Sequence, residues 1–233
     1  MTTPIATRVL AVFAHPDDPD FIAGGTLARW ADEGKHIALC IVTDGGAGSN
    51  DPAQDLGELV KTREAEQRAA SAVQGFGEIY FLGYKDGSLV ATIELRRELT
   101  RLIRQLNPDL VMLQDPTAVY YGDGYINHPD HRAAGEAALY AVFPSAQTRP
   151  IFPELLAEGF EPHKVTELYI AGSMNPNMYI DISGTLDRKI EALLHHKTQV
   201  GADVADEMRS WAAESGKAVG MSAAETFRVM RFV

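Results

Sequence analysis

The sequence predicts an α/β fold with a mainly parallel sheet, and two patterns near the N-terminus carry that prediction. The apolar, β-rich run Val9-Leu10-Ala11-Val12-Phe13 stops abruptly at Ala14-His15-Pro16-Asp17-Asp18. Proline cannot continue a central strand and aspartate favours a helix cap, so the junction reads as a buried strand feeding a loop or helix start. Residues 21–31 then space their apolar side chains as a helix does and run into Gly34, a C-cap signal, ahead of a second apolar run at 37–42. Strand, helix and strand joined by short links make a right-handed βαβ unit, which sets the two strands parallel. The 233 residues suffice for a single domain with a sizeable core, spanning 1–233.

The remaining elements follow in order. Thr43-Asp44-Gly45-Gly46-Ala47-Gly48-Ser49 lies at the carboxyl end of the second strand, where glycines permit close approach of a ligand and Asp44 is placed to contact the site. Residues 58–74 read as a charged amphipathic helix that offers Leu59, Val60, Ala65, Ala69, Ala72 and Val73 for packing. A strand at 78–82 runs into a turn at Asp86-Gly87, a helix spans 92–106 up to Asn107-Pro108, and a strand follows at 109–113. The loop 114–127 carries Tyr120, Tyr121 and Tyr125, which suit either stacking on a sugar ring or filling a surface hollow. From 143 to 162 prolines interrupt an apolar stretch, so 143–233 is expected to be less regular and to cover the site or form subunit contacts. A late strand pair is expected through 168–170 and 178–181, then a helix over 186–199 with His195 and His196 on its solvent side; 201–233 carries only mixed helix signals.

Composition narrows the function. The 21 Lys and Arg face 32 Asp and Glu, a net charge of −11, which argues against nucleic acid or an anionic membrane surface as partner. The opening MTTPIATR lacks a long apolar core, and no later stretch nears about 18 uninterrupted apolar residues, so a soluble cytoplasmic protein is expected. The single Cys40 excludes an internal disulfide and sits in an apolar strand pattern. No G-x-G-x-x-G follows the first strand, which speaks against a dinucleotide enzyme.

Two clusters carry the chemistry. His15 and Asp18, three apart on a tight turn, are placed to converge on one cation and leave Asp17 as a free base. The bland alternative is that an aspartate caps the next helix and His15 sits satisfied in the core. The second cluster, His128-Pro129-Asp130-His131, precedes a helical pattern; Pro129 fits the first helical position, which puts His128 at the cap and His131 on the same turn. Together the clusters compose a His/Asp/His zinc site with a position left for water, and His128 remains for proton transfer or for stabilising an oxyanion.

These paired motifs resemble the LmbE-like, or PIG-L, family of zinc-dependent N-acetylglucosaminyl de-N-acetylases, and the resemblance extends over most of the chain. It implies a Rossmann-like, three-layer α/β/α fold with one Zn2+ per subunit, replaceable by another divalent metal such as Fe2+, held by His15, Asp18 and His131. It further implies Asp17 as general base, His128 as general acid or oxyanion stabiliser, and removal of an acetyl group from a small amino-sugar substrate. Arg63, within Arg63-Glu64-Ala65-Glu66, matches an arginine that reaches the substrate pocket, and Asp86 matches an aspartate that holds sugar hydroxyls. Lys189, Ala192, Leu193, His196 and Gln199 resemble a C-terminal pattern of the family. Relatives are often oligomeric, so a homo-oligomer is expected. Many members carry Glu after the two aspartates, whereas here Pro19 stands there and Asp20 follows, a departure that leaves the ligands intact and bears on what orients them. A zinc amidase acting on thiol conjugates or other N-acyl substrates, and a catalytically weak sugar-binding relative, stay open as alternatives.

Overall fold

In the computed structural model, residues 7–232 are described; residues 1–6, on which the expected lack of a leader partly rested, lie outside them. One seven-stranded sheet runs in the order β3 (Glu78–Tyr84), β2 (His36–Thr43), β1 (Arg8–Phe13), β4 (Leu110–Gln114), β7 (Glu167–Ala171), β9 (Ala224–Arg231), β8 (Met178–Asp181), while the two-residue strands β5 (Tyr120–Tyr121) and β6 (Tyr125–Ile126) pair apart from it. Strands β1, β2, β3, β4 and β7 are parallel. β9 pairs antiparallel with both β7 and β8.

β1 is apolar from Val9 on because both its faces are covered there, as parallel sheets require. Leu10 and Val12 pack with Leu95, Leu99 and Ile103 of α3 (Ile93–Leu106) and with the alanines of α4 (Pro129–Tyr140). Val9, Ala11 and Phe13 point the other way, to Ala23, Leu27 and Trp30 of α1 (Asp18–Asp32). On that second side α2 (Leu56–Gln74), α6 (Leu186–Leu193) and α7 (Val204–Lys217) join α1, which completes the three layers. Cys40 is buried in β2, and burial pushes its thiol pKa up, so it is a core residue. Among the described residues no helix is long and apolar enough to cross a membrane.

Three regions differ from the sequence expectation. β7 and β8 are not neighbours: β9, from the weakly patterned tail, lies between them, pairing Leu168 with Met230 on one side and Ile180 with Glu225 on the other. The helix expected over 186–199 ends at Leu193, with Leu194 as C-cap, and 194–199 becomes a turn. The buried face of α2 is Leu59, Arg63, Gln67, Ala70, Ser71 and Gln74, whereas Ala65 and Ala72 are exposed. That face meets a polar site rather than an apolar layer, so hydrogen-bond partners rather than hydrophobicity decide which side turns inward.

The Pro-interrupted stretch is fastened to α3 by Arg104, a buried guanidinium that donates to the carbonyls of Ser145, Ala146, Thr148 and Ile151. Strand order reverses around β1 and β4, and at such a switch point the carboxyl ends of the strands open a crevice. The loops after β1 and β4 carry the two His-Pro-Asp clusters.

Candidate active site

The first cluster is shaped by an unusual backbone. Asp17 is the N-cap of α1 with φ 90° and ψ −36°, and its carboxylate makes no cap bond. This conformation, outside the regions open to most L-residues, parts the two aspartates. Asp17 Oδ2 lies 3.2 Å from Arg63 Nη2, whereas Asp18 Oδ2 accepts from the His15 N–H at 2.7 Å and lies 3.2 Å from His15 Nδ1. The other oxygen of Asp18 is 3.0 Å from His131 Nε2, so one carboxylate stands between two imidazoles. Arg63, buried, also donates to the carbonyls of Pro16 and Gly45 and thereby clamps the turn to the glycine loop.

The second cluster caps α4. His128 is its N-cap and accepts the Asp130 N–H on Nδ1 at 3.2 Å, with Pro129 in the first turn, as its sequence predicts. With Nδ1 engaged as acceptor, the neutral ring carries its proton on Nε2. Its pKa is lowered by burial and then by the nearby His15. His131 Nδ1 lies 2.8 Å from Asn127 Oδ1, which leaves Nε2 for Asp18.

His15 sits at the centre. Its Nε2, on the ring edge away from Asp18, faces Asp86 Oδ1 at 3.0 Å and Asp130 Oδ2 at 3.5 Å. Burial disfavours its cation, but Asp18, Asp130 and Asp86 together outweigh this and drive its pKa up to about 12. Asp17 behaves oppositely: burial and then Asp18 push its carboxyl up to about 7 against the pull of Arg63.

The donor set fits a divalent cation. Nitrogens of His15, His128 and His131 lie within 4.8 Å of one another, as do donor atoms of His15, Asp86, His128 and Asp130. Asp18 adds a carboxylate already in contact with His15 and His131, and Asp86 and Asp130 hold the far side of the His15 ring, the arrangement that orients a ligating imidazole. A cavity of about 980 Å³ opens over this cluster; His15, Asp17, Asp18, Arg63, His128 and His131 line its floor. Tyr121, Tyr125 and Trp211 also line it, and its C-terminal lining begins at Gly172.

The other expected residues divide. Asp86 reaches the wall, but its oxygens face His15 and the Ala47 N–H. Asp44, expected to contact the site, does not line the cavity, because its Oδ1 is taken by the amides of Gly46 and Asp86 and braces the loop. His195 is half-buried away from the cavity. His196 is not on a solvent face at all: it is fully buried, with Nε2 2.8 Å from Asp20. Asp130, Asn127 and Gln67 also hold the site together, and their roles are not announced by the sequence motifs. The signal for Gln67 was the polar spacing Arg63, Gln67, Ser71, Gln74, a stripe along one helical face.

A His/Asp cluster suited to a metal, under an open cavity at the carboxyl edge of a doubly wound sheet, defines a metal-site α/β protein fitted to hydrolytic chemistry. The chain belongs to the GlcNAc-PI de-N-acetylase (PIG-L) family, whose pattern matches residues 10–142. It is 31% identical over 229 residues to a diacetylchitobiose deacetylase of Thermococcus kodakarensis, covering 95% of this chain and 82% of that one. A 1D-myo-inositol 2-acetamido-2-deoxy-alpha-D-glucopyranoside deacetylase of Actinosynnema mirum is 30% identical over 241 residues, covering 86% and 83%. Among solved structures, the N,N'-diacetylchitobiose deacetylase of Pyrococcus horikoshii in complex with an inhibitor superposes with a TM-score of 0.89 at 29% identity, covering 97% of this chain and 84% of that one.

Proposed function

We propose that the protein is a zinc-dependent N-deacetylase that removes the acetyl group from an N-acetylglucosamine-type sugar or conjugate. Family membership and deacetylase relatives support the reaction class. The observation that carries the division of labour is the Asp17-Asp18 pair: Asp18 stands between His15 and His131, while Asp17 is turned to Arg63 on the cavity floor. His15, Asp18 and His131 would hold the ion, with Asp86 and Asp130 orienting His15. A bound divalent metal supplies a Lewis acid for the amide carbonyl and lowers the pKa of a water beside it.

Asp17 accepts the proton of the attacking water as its oxygen bonds to the acyl carbon. His128, as the neutral ring with its proton on Nε2, offers a hydrogen bond to the oxyanion that develops. When the C–N bond breaks, Asp17 returns the proton to the nitrogen, leaving acetate and a free amine. Amine release from N-acetylglucosamine, diacetylchitobiose and N-acetylglucosaminyl malate or inositol, each measured after chelation and after zinc restoration, tests this. Zinc-restored release from one of them is expected. Stoichiometric zinc with no release from any would overturn the proposal.

A further inference from the structure

Asp17 holds a conformation that its own residue type does not favour, and its side chain gives nothing back to α1. The turn is therefore held from outside, by two residues one turn apart on α2. Arg63 takes the Pro16 carbonyl, and the Gln67 Oε1 accepts the Asp17 N–H at 2.9 Å. A glutamine amide can sit either way round, and the reversed form would set its NH2 against the Asp17 N–H. What fixes the orientation is Asp20, whose Oδ2 accepts from Gln67 Nε2 at 2.9 Å.

Asp20 is itself fully buried. Its Oδ1 accepts from Gln74 Nε2 at 2.6 Å, and Oδ2 also faces His196 Nε2 at 2.8 Å. A buried carboxylate keeps such a place only when its lone pairs are answered. His196 is supplied from the far end of the chain, in a turn tied to α2 where Thr198 N and Oγ1 donate to Glu66.

Building on the deacetylase reading, we propose that Gln67 is a positioning residue: locked by Asp20, Gln74 and His196, it pins the strained Asp17 backbone so that the Asp17 carboxylate faces the reacting water. The Pro19-Asp20 departure then acquires a role, since the acidic side chain one place later is the one that reaches Gln67.

The test is hydrogen exchange at the Asp17 amide in the full-length protein, paired with kinetics of the zinc-loaded enzyme, for Gln67→Met and Asp20→Asn. Met keeps the volume and removes all three hydrogen bonds of the amide, those with Asp17, Asp20 and Ser71; Asn keeps the shape of Asp20 and weakens its hold on the amide. Loss of one hydrogen bond is expected to speed Asp17 exchange about threefold to tenfold. In the same variants kcat is expected to fall about tenfold to a hundredfold, the cost of a misplaced catalytic group, with KM and zinc content unchanged. The double variant should be no slower than Gln67→Met alone, because Asp20 acts through Gln67. Unchanged Asp17 exchange in either folded variant would overturn the proposal, as would a loss confined to KM or to zinc content. Faster exchange together with wild-type protein that turns over no sugar would instead sink the deacetylase reading and leave the hold on Asp17 standing.

Discussion

The molecule uses the tripeptide His-Pro-Asp twice, at positions 15–17 and 128–130, and the two copies sit two residues apart in helical register. In the first, Asp17 is the N-cap, its φ is 90°, and the helix begins at Asp18. In the second, His128 is the N-cap at φ −59°, Pro129 opens the helix, and Asp130 lies inside its first turn. The shift reverses the roles. The first copy spends its aspartate on a strained turn facing the cavity, while the second buries its aspartate under His15 against the amides of Gly87 and Leu89. A motif therefore does not set the function of its residues; their offset from the helix start does, because that offset decides which side chains turn outward and which amides need an acceptor.

The largest expected effect separates the cation-holding side of this comparison from the proton-transferring one. His15→Ala, Asp18→Ala and His131→Ala should each lose bound zinc, measured by metal analysis after dialysis, and with it all turnover. Asp17→Asn should keep its zinc and lose about a thousandfold or more in kcat, by analogy with removal of a general base or of its triad partner. Zinc loss on Asp17→Asn would break the division between adjacent aspartates.

His128 combines two tasks that can be parted. His128→Ala should cost about a hundredfold in kcat for the missing oxyanion donor and about 1 kcal/mol of stability for the missing cap. His128→Asn should restore most of the stability in a denaturant titration, since Asn caps well, without restoring kcat. Recovery of both would show that capping alone explains the residue.

The backbone contrast gives a smaller effect with opposite signs. Asp17→Gly should be more stable than Asp17→Ala by about 1 kcal/mol, because both lose the carboxylate but only glycine relaxes at positive φ. At the matching third position of the second copy, Asp130→Gly should be less stable than Asp130→Ala by about 0.5–1 kcal/mol, since glycine is poor inside a helix. Equal ordering at both positions would remove the strain from the account.

The smallest effect lies in the buried support. Burial lowers the affinity of His196 for a proton, but its hydrogen bond to Asp20 and the charges of Asp20, Asp17 and Glu66 prevail, so its pKa is raised above 6.5. A raised folded-state pKa means a stabilising contribution that is full below the ordinary imidazole value and fades as pH rises through the folded-state value. His196→Gln should flatten the decline of stability above about pH 6.5, followed as denaturation midpoints; an unchanged decline would place its source elsewhere.

What was legible in the chain was local. The β1 run, the stop at His15-Pro16, the Pro129 start of α4 with His128 at its cap, and the meeting of His15 with Asp18 three residues on all depend on a few consecutive residues, whose periodicity and proline geometry act at short range. The direction of the Asp44 carboxylate is not legible in the chain, because a glycine loop leaves it to whichever amides come near, here those of Gly46 and Asp86.

The sequence by itself determined the parallel α/β core and the residue types of the candidate centre, because hydrophobic period and helix-start chemistry are written in neighbouring positions. Only the tertiary structure decided that β9 enters between β7 and β8, that the polar stripe of α2 turns inward, and that His196 meets Asp20 across 176 residues. The physical reason is the same in each case. Strand order, and the partner that answers a buried polar group, depend on contacts between segments far apart in the chain, and nothing in the neighbouring sequence has to announce them.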